Sequence, residues 1–373
     1  MSKDLTPGSA TPQGTLRYAA RFQGISASGH FRVISGGLVL SSLGIGTYLG
    51  EPDKAFDEGY AASIVAAVEG GINVVDSAIN YRFQRSERSA GTALLQLRSK
   101  GFEREEIVLC TKAGFLTPDG SMPGDPNAYF AREFLERGIF RPEEIAAGCH
   151  CMAPAYLADQ LDRSRRNLGV QCIDVFYLHN PETQLTEVSP AVFSDRMHAA
   201  FTFLESAARE GKIGGYGLAT WNTFREDPNS AGYLSLEAMV RIAREIAGES
   251  HHLRFVQLPF NLAMPEALTR HNQVVEGKPM PMVQAARALG ITLITSAALL
   301  QGQLTKNLPP FVRTALLLPT DSALALQFAR SVPGLTTALV GMSKLAHVKT
   351  NLELVRIEPT PREQFLNLFE PKK

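Results

Sequence analysis

Four side chains in the first half of the chain have the types and spacing to move a proton at a polarised carbonyl. Tyr81 follows Asp76 by five residues, and Lys112 and His179 come after them. Carbonyl reduction by hydride needs a proton delivered to the developing alkoxide. Tyrosine is a poor donor near neutrality, because its unperturbed pKa is about 10. A nearby ammonium favours the tyrosinate and lowers that value. An aspartate paired with the lysine holds the ammonium in place, and a histidine can hydrogen-bond the carbonyl oxygen and orient it. Taken singly, each residue has a blander role: an Asp or Lys in a structural ion pair, a histidine satisfied in a core, a tyrosine in packing. The case for chemistry is joint, since Asp76, Lys112 and His179 end three consecutive expected strands.

Those strands belong to a longer series. Short apolar runs bounded by Gly, Pro or polar residues predict strands over Ser42–Thr47, Ile72–Asp76, Ile107–Lys112, Ile173–His179, Gly215–Thr220, Phe255–Pro259, Ile291–Ser296 and Thr337–Gly341. Helical patterns lie between them, at Asp57–Glu69, Ser86–Lys100, Pro154–Asn167, Asp195–Glu210, Leu234–Ala247, Met282–Leu289 and Asp321–Val332. Several stop at glycine, among them Gly101, Gly169, Gly211 and Gly290, as helices do when the next residue turns left-handed. Alternating strands and helices imply a parallel sheet covered by helices. Periodicity alone leaves open whether it closes into a barrel or stays doubly wound. In a barrel, catalytic groups sit at the C-terminal ends of the strands.

Three segments fall outside the alternation. Phe31–Ile34 and Leu38–Leu40 flank Gly36-Gly37, predicting a hairpin that plugs one end of a barrel. Residues 1–29 begin rich in Ser, Thr, Pro and Gly and are expected to form a flexible tail. Between Gly114 and Cys149 lies a long insertion, turn-rich at first, with a short helix expected over Ala128–Phe140. Long loops in compact domains are usually functional or disordered, and this one leaves the third strand on the active-site side, as a lid over substrate would. The rest, 30–373, reads as one domain with the insertion at about 115–150.

Composition narrows the partners. Lys plus Arg, 37, balances Asp plus Glu, 37, giving no reason to expect nucleic acid or an anionic membrane. No apolar run reaches the roughly 18 residues of a membrane span. Four cysteines in 373 residues do not suggest a disulfide framework, and a cytoplasmic location is the default. Cys149-His150-Cys151 looks like a metal fragment but lacks a second ligand pair, so no metal is expected. Gly44-Ile45-Gly46 lacks the third glycine of a dinucleotide fingerprint, that position being Leu49.

The chain resembles the aldo-keto reductase superfamily. The resemblance is carried by Gly44-Ile-Gly-Thr47, by Gly71-Ile-Asn-Val-Val-Asp76-Ser-Ala-Ile-Asn-Tyr81, by Ser86-Glu87 with Gly91, by Val108–Lys112 and by Ile173–Pro181. It continues through Gly211-Lys212-Ile213, Tyr216-Gly217-Leu218, Val256-Gln257 and Leu339–Ser343 with Asn351. The resemblance implies an α/β fold, a (β/α)8 TIM barrel with a nicotinamide cofactor across its C-terminal mouth. It implies Tyr81 as general acid, Lys112 and Asp76 tuning it, and His179 positioning substrate. Gly46, Thr47, Asp76, Thr220, Gln257 and Ser296 fall at the nicotinamide end. Leu299, Gln301, Gly302 and Leu304, with Gly341, Met342, Ser343, His347 and Asn351, clasp the pyrophosphate and adenosine. Tyr48 and Trp221 join Tyr81 and His179 around a small carbonyl or alcohol substrate.

There are departures from the family pattern. Ala219-Thr220 stands where the family shows a Ser-Asn pair, and Ser296 where an aromatic ring often stacks on the nicotinamide, a ring that Trp221 can supply. Gly341 and His347 occupy positions that are commonly basic and read the 2′-phosphate of NADP. Lys344 and His347 can still supply charge and donors there, so NADP is expected, with NAD possible. The alternative is a cofactor-sensing regulatory barrel with little turnover. A metal-dependent barrel hydrolase or lyase would need more acidic or His ligands at strand ends than Asp76 and His179. The oligomeric state is not legible.

Overall fold

A computed structural model describes residues 5–369. Its strands are β1 (Phe31–Val33), β2 (Val39–Ser41), β3 (Leu43–Gly46), β4 (Val74–Asp76), β5 (Val108–Ala113), β6 (Ile145–Ala146), β7 (His150–Cys151), β8 (Ile173–His179), β9 (Ile213–Ala219), β10 (Leu253–Pro259), β11 (Gln273–Val275), β12 (Lys278–Met280), β13 (Thr292–Ser296) and β14 (Leu335–Gly341). Eight of them close a barrel in the order β3-β4-β5-β8-β9-β10-β13-β14, with β14 returning to β3. Neighbouring strands are parallel throughout. Closure removes the sheet edges that an open arrangement would leave.

The barrel settles which side chains meet. Successive residues of a strand face opposite sides of the sheet. Val74, Val108, Cys110, Val175, Tyr177, Phe255, Ile294 and Leu339 face inward and form one buried cluster. Their neighbours Val75, Leu109, Phe176 and Leu178 face outward into a larger core shared with the helices. The same two-residue step carries Asp76, Lys112, His179, Gln257 and Ser296 onto the inner face one or two layers higher. The sequence periods therefore aim these polar groups at one mouth.

The helices begin and end for local reasons. Asp53 caps the helix Lys54–Glu69 through the amide of Phe56. The helix Pro154–Leu168 ends at Gly169, whose φ of 70° is the left-handed conformation expected of it. No helix among the described residues is long and apolar enough to cross a membrane.

The expected hairpin is β1–β2, paired Phe31 with Ser41. Leu40, with Ile34 and Leu38, packs under the inner cluster, so the hairpin closes the N-terminal mouth. The flexible tail expected over residues 1–29 is corrected by the structure, apart from residues 1–4, which lie outside the described residues. Thr11 caps a helix at Pro12–Ala20 by accepting from the amide of Gly14. Tyr18 of that helix is fully buried and donates to the carbonyl of Val68 at 2.6 Å. The Thr11-Pro12 start signal was present in a segment whose overall composition resembles a tail.

The insertion is also ordered differently from the expectation. Its helix runs over Pro126–Phe130 and continues as a wide turn to Leu135, ending short of Phe140. Phe134 and Phe140 are buried with Cys151 and with Tyr156 of the helix Pro154–Leu168. Burial of these rings lays the insertion along the outside of the barrel, not over its mouth. A further hairpin, β11–β12, turns at Glu276-Gly277, both with positive φ. Nothing in the alternating pattern had marked it.

Candidate active site

A cavity of about 940 Å³ opens at the C-terminal mouth of the barrel, within the usual size of a ligand pocket. Most residues singled out from sequence line it: Gly46, Thr47, Tyr48, Asp76, Tyr81, His179, Thr220, Trp221, Gln257, Ser296, Leu299, Gln301, Gly302, Gly341, Ser343, His347 and Asn351. Two expectations are corrected. Met342 is fully buried facing away from the cavity, on the alternate parity to Gly341 and Ser343, and Leu304 packs against the main core instead of lining the cavity. Lys112 does not line it either. It lies fully buried behind Asp76 and Tyr81.

Lys112 Nζ donates to Asp76 Oδ2 at 2.6 Å and to the carbonyl of Ser77 at 2.8 Å. Gln257 Nε2 donates to the other carboxylate oxygen of Asp76 at 2.7 Å. Burial raises the Asp76 pKa above its ordinary value, while the bonds from Lys112 and Gln257 to its two oxygens oppose the rise and favour the carboxylate. Burial pulls the Lys112 ammonium down, but the charges of Asp76 and Tyr81 outweigh it and leave Lys112 above its ordinary value. Lys112 Nζ stands 4.9 Å from the centre of the Tyr81 ring.

The expected net lowering of the Tyr81 pKa is not what the surroundings produce. Burial raises the phenol above its usual value; Lys112 opposes this without overturning it, and Asp76 adds to the rise. Tyr81 is thus protonated at neutral pH, and a tyrosinate left after proton donation would face a fixed ammonium. His179 lies edge-on to Tyr81 with ring centres 5.8 Å apart. Burial, helped by Lys112 and His150, holds its pKa well below the usual histidine value, so it is neutral.

Three lining side chains keep a buried polar atom without a protein partner: Asn80 Oδ1, His179 Nδ1 and Thr220 Oγ1. Buried polar atoms are normally paired, so these point to a ligand. The cavity wall after β13 is strained as well. Ala297, Leu300 and Gln301 have φ of 54°, 45° and 52°, and such residues cluster at ligand clamps.

Sequence reasoning missed several lining residues. Asn80, adjacent to Tyr81, and Phe115, three residues beyond the end of the expected third strand, were findable by position. Tyr60, from the helix Lys54–Glu69, carried no signal. Phe115 is the sole part of the long insertion among the lining residues, which corrects the lid expectation. His150, set aside as a metal fragment with Cys149 and Cys151, lies against His179 instead. Among the described residues, no three His, Cys, Asp or Glu side chains come together as a metal site.

The Aldo/keto reductase family model matches residues 42–310. A D-threo-aldose 1-dehydrogenase from a Pseudomonas species is 28% identical over 192 residues, covering 49% of this chain and 51% of that protein. The chain thus matches about half the length of that relative. Among solved structures, the holo form of an aldo-keto reductase from Bacillus halodurans superposes with a TM-score of 0.61 at 20% identity, covering 91% of this chain and 95% of the other. An aldo/keto reductase from Klebsiella pneumoniae, in complex with NADP and acetate, gives 0.60 at 16% identity, with 92% and 96% covered. With the family model spanning more than two-thirds of its length, the chain belongs to the aldo/keto reductase family.

Proposed function

We propose that the protein is an NADP-dependent oxidoreductase that reduces an aldehyde or ketone, or oxidises the corresponding alcohol, with Tyr81 as general acid and base. The observation that carries this reading is the buried Lys112–Asp76 ion pair beneath Tyr81, with neutral His179 across from it, at the mouth of a large cavity. When bound, the dinucleotide supplies or accepts the hydride. The residues present fit it. Thr220 Oγ1 offers an unpaired group at the nicotinamide end, beside Gln257 and Asp76. Gln301, Gly302, Ser343, His347 and Asn351 would hold the pyrophosphate and adenosine. Lys344 and His347 stand at the start of the helix Leu345–Leu352, where donors and positive potential favour a phosphate. The NADP in the Klebsiella protein supports the same choice.

The chain's own groups then divide the work. His179, neutral, hydrogen-bonds the substrate oxygen and aims it at Tyr81. Tyr81 gives its phenolic proton to that oxygen as it becomes an alkoxide. Lys112 stabilises the tyrosinate left behind, and Asp76 keeps the ammonium in place. Tyr48, Phe115 and Trp221 wall the outer cavity and suit neutral carbonyl compounds with apolar or ring-like bodies. The four cysteines are unpaired, which supports a reducing compartment such as the cytoplasm.

Trp221, the sole tryptophan, lines the cavity and makes a direct test simple. NADPH and NADH are titrated against its fluorescence, and an aromatic aldehyde is added while absorbance at the reduced-nicotinamide band is followed. Binding of NADPH followed by aldehyde-dependent oxidation is expected. Binding with no oxidation across varied aldehydes would favour a cofactor-sensing barrel, and no binding would overturn the reading.

A further inference from the structure

His150 sits in β7, at the end of the insertion, and carries out no step proposed above. It is nonetheless almost fully buried. Alternation along β7 sends Cys151 outward into the cluster with Phe134 and sends His150 the other way, toward the barrel.

Both ring nitrogens of His150 are used. Nε2 lies 2.7 Å from the carbonyl oxygen of His179, and Nδ1 lies 2.8 Å from Gln184 Nε2. Arg196 donates to Gln184 Oε1, so the amide of Gln184 is turned with its nitrogen toward His150. An amide nitrogen only donates. Nδ1 of His150 must therefore accept, and Nε2 must carry the hydrogen given to His179. Burial, with the bond to His179 opposing it, lowers His150 to about 4, in keeping with a neutral ring. Arg196 also donates to the carbonyls of Glu143 and Glu144 in the insertion, which ties the relay to that segment.

Two further contacts converge on the same place. Phe115 stands edge-on to both His150 and His179, each ring centre 5.1 Å away. At Gly114 an added Cβ would come within 2.6 Å of His150 Nε2 and 2.8 Å of the His179 oxygen. The chain leaves room for this hydrogen bond only by having no side chain there. His179 needs outside support, because its own Nδ1 has no protein partner to fix the ring.

We propose that His150 is a positioning residue for the reaction: through Gln184 and Arg196, the insertion holds the backbone of His179, and with Phe115 it sets the angle at which the His179 ring meets substrate. The insertion thus acts on catalysis from behind the site, without covering it. This rests on the oxidoreductase reading above, in which His179 orients the substrate oxygen.

The test uses the full chain and three variants: His150→Leu, His150→Gln and Gln184→Leu. His150→Leu removes the donor, whereas His150→Gln places an amide N–H near the position of Nε2. Misplacement of a catalytic group by a fraction of an ångström to an ångström costs roughly tenfold to a hundredfold in rate. We expect His150→Leu to lower kcat/KM for an aldehyde by at least about tenfold, with NADPH affinity unchanged. His150→Gln is expected to recover most of the loss, and Gln184→Leu to give a smaller loss in the same direction. A purely structural role would lower thermal stability and NADPH affinity together, with no recovery in His150→Gln; that pattern, or a folded His150→Leu with kcat/KM within twofold of wild type, overturns the proposal. Nitrogen-15 NMR of the histidines gives a readout that needs no turnover. At pH 6, His150 is expected as the neutral Nε2–H form, and an Nδ1–H or doubly protonated ring also overturns it. If the wild-type protein oxidises no NADPH, the oxidoreductase reading fails, while the NMR result still decides the hydrogen bond.

Discussion

The two ends of the barrel are built by opposite rules. At the N-terminal end the buried polar side chains of Asn73, Asp174 and His30 are tied to protein partners. Asn73 donates to the Val39 carbonyl and accepts from the Ser41 amide. Asp174 accepts from Arg104 and from the amides of Ala10 and Leu109. His30 bonds Ser42 and the Gly71 carbonyl, and Leu40 seals the interior. At the C-terminal end Asn80, His179 and Thr220 keep unpaired polar atoms, and three non-glycine residues after β13 are left-handed. One end spends its interactions on holding the fold. The other withholds them for a ligand, as expected where barrels place their chemistry.

Substitutions at the two ends should separate accordingly. The largest effect is expected for Tyr81→Phe. Losing a general acid costs roughly 10²–10⁴ in rate, and steady-state kinetics should show this with unchanged unfolding temperature and NADPH affinity. Retained turnover would remove Tyr81 from its role. Next is Leu40→Ala at the plug, which empties part of a buried cluster and should cost about 2–5 kcal/mol of stability. Urea unfolding measures it, and kcat in the folded protein should stay as it was. A large fall in kcat would mean that the two ends are coupled.

Acid probes both ends at once. His30 at the plug and His150 beside the site are each lowered to about 4, chiefly by burial. Below pH 6.5 the unfolded chain takes up protons that the folded chain refuses until about pH 4. Stability contributed by the neutral rings is therefore full above pH 6.5, falls as pH drops toward 4, and is flat below that. At pH 5 the loss should be about 2 kcal/mol for each histidine. Comparing urea midpoints at pH 7 and pH 5 tests this, and His30→Gln should lessen the fall by about 2 kcal/mol, since His150 and His179, whose rings are also held neutral by burial, contribute to the same fall. An undiminished fall in that variant would show that His30 is not the source.

The smallest effect is expected at Thr220, whose Oγ1 waits without a partner. Thr220→Val should leave stability unchanged or slightly higher and weaken NADPH binding by about 1 kcal/mol, some fivefold in Kd. Unaltered affinity would mean that the hydroxyl does not meet the dinucleotide.

Much of this molecule was legible from the chain alone. The eight strands followed from apolar runs between glycine-stopped helices, and Asp76, Lys112 and His179 were found because strand ends are where a barrel gathers its chemistry. Two-residue alternation then dictates that they face inward together. These are local properties, fixed by backbone periodicity and by which residues end a helix. The N-terminal helix, the path of the insertion, the diversion of Leu304 and Met342 from the cavity and the bond between His150 and His179 were decided only in three dimensions. His150 and His179 are 29 residues apart. They meet because the insertion leading into His150 turns outward to bury Phe134 and Phe140 against Tyr156, and a contact set by the burial of distant rings leaves no period in the sequence. The net rise in the Tyr81 pKa has the same origin, since the lysine that lowers it could be read from its type, but the burial that outweighs the lysine exists only once the barrel has closed.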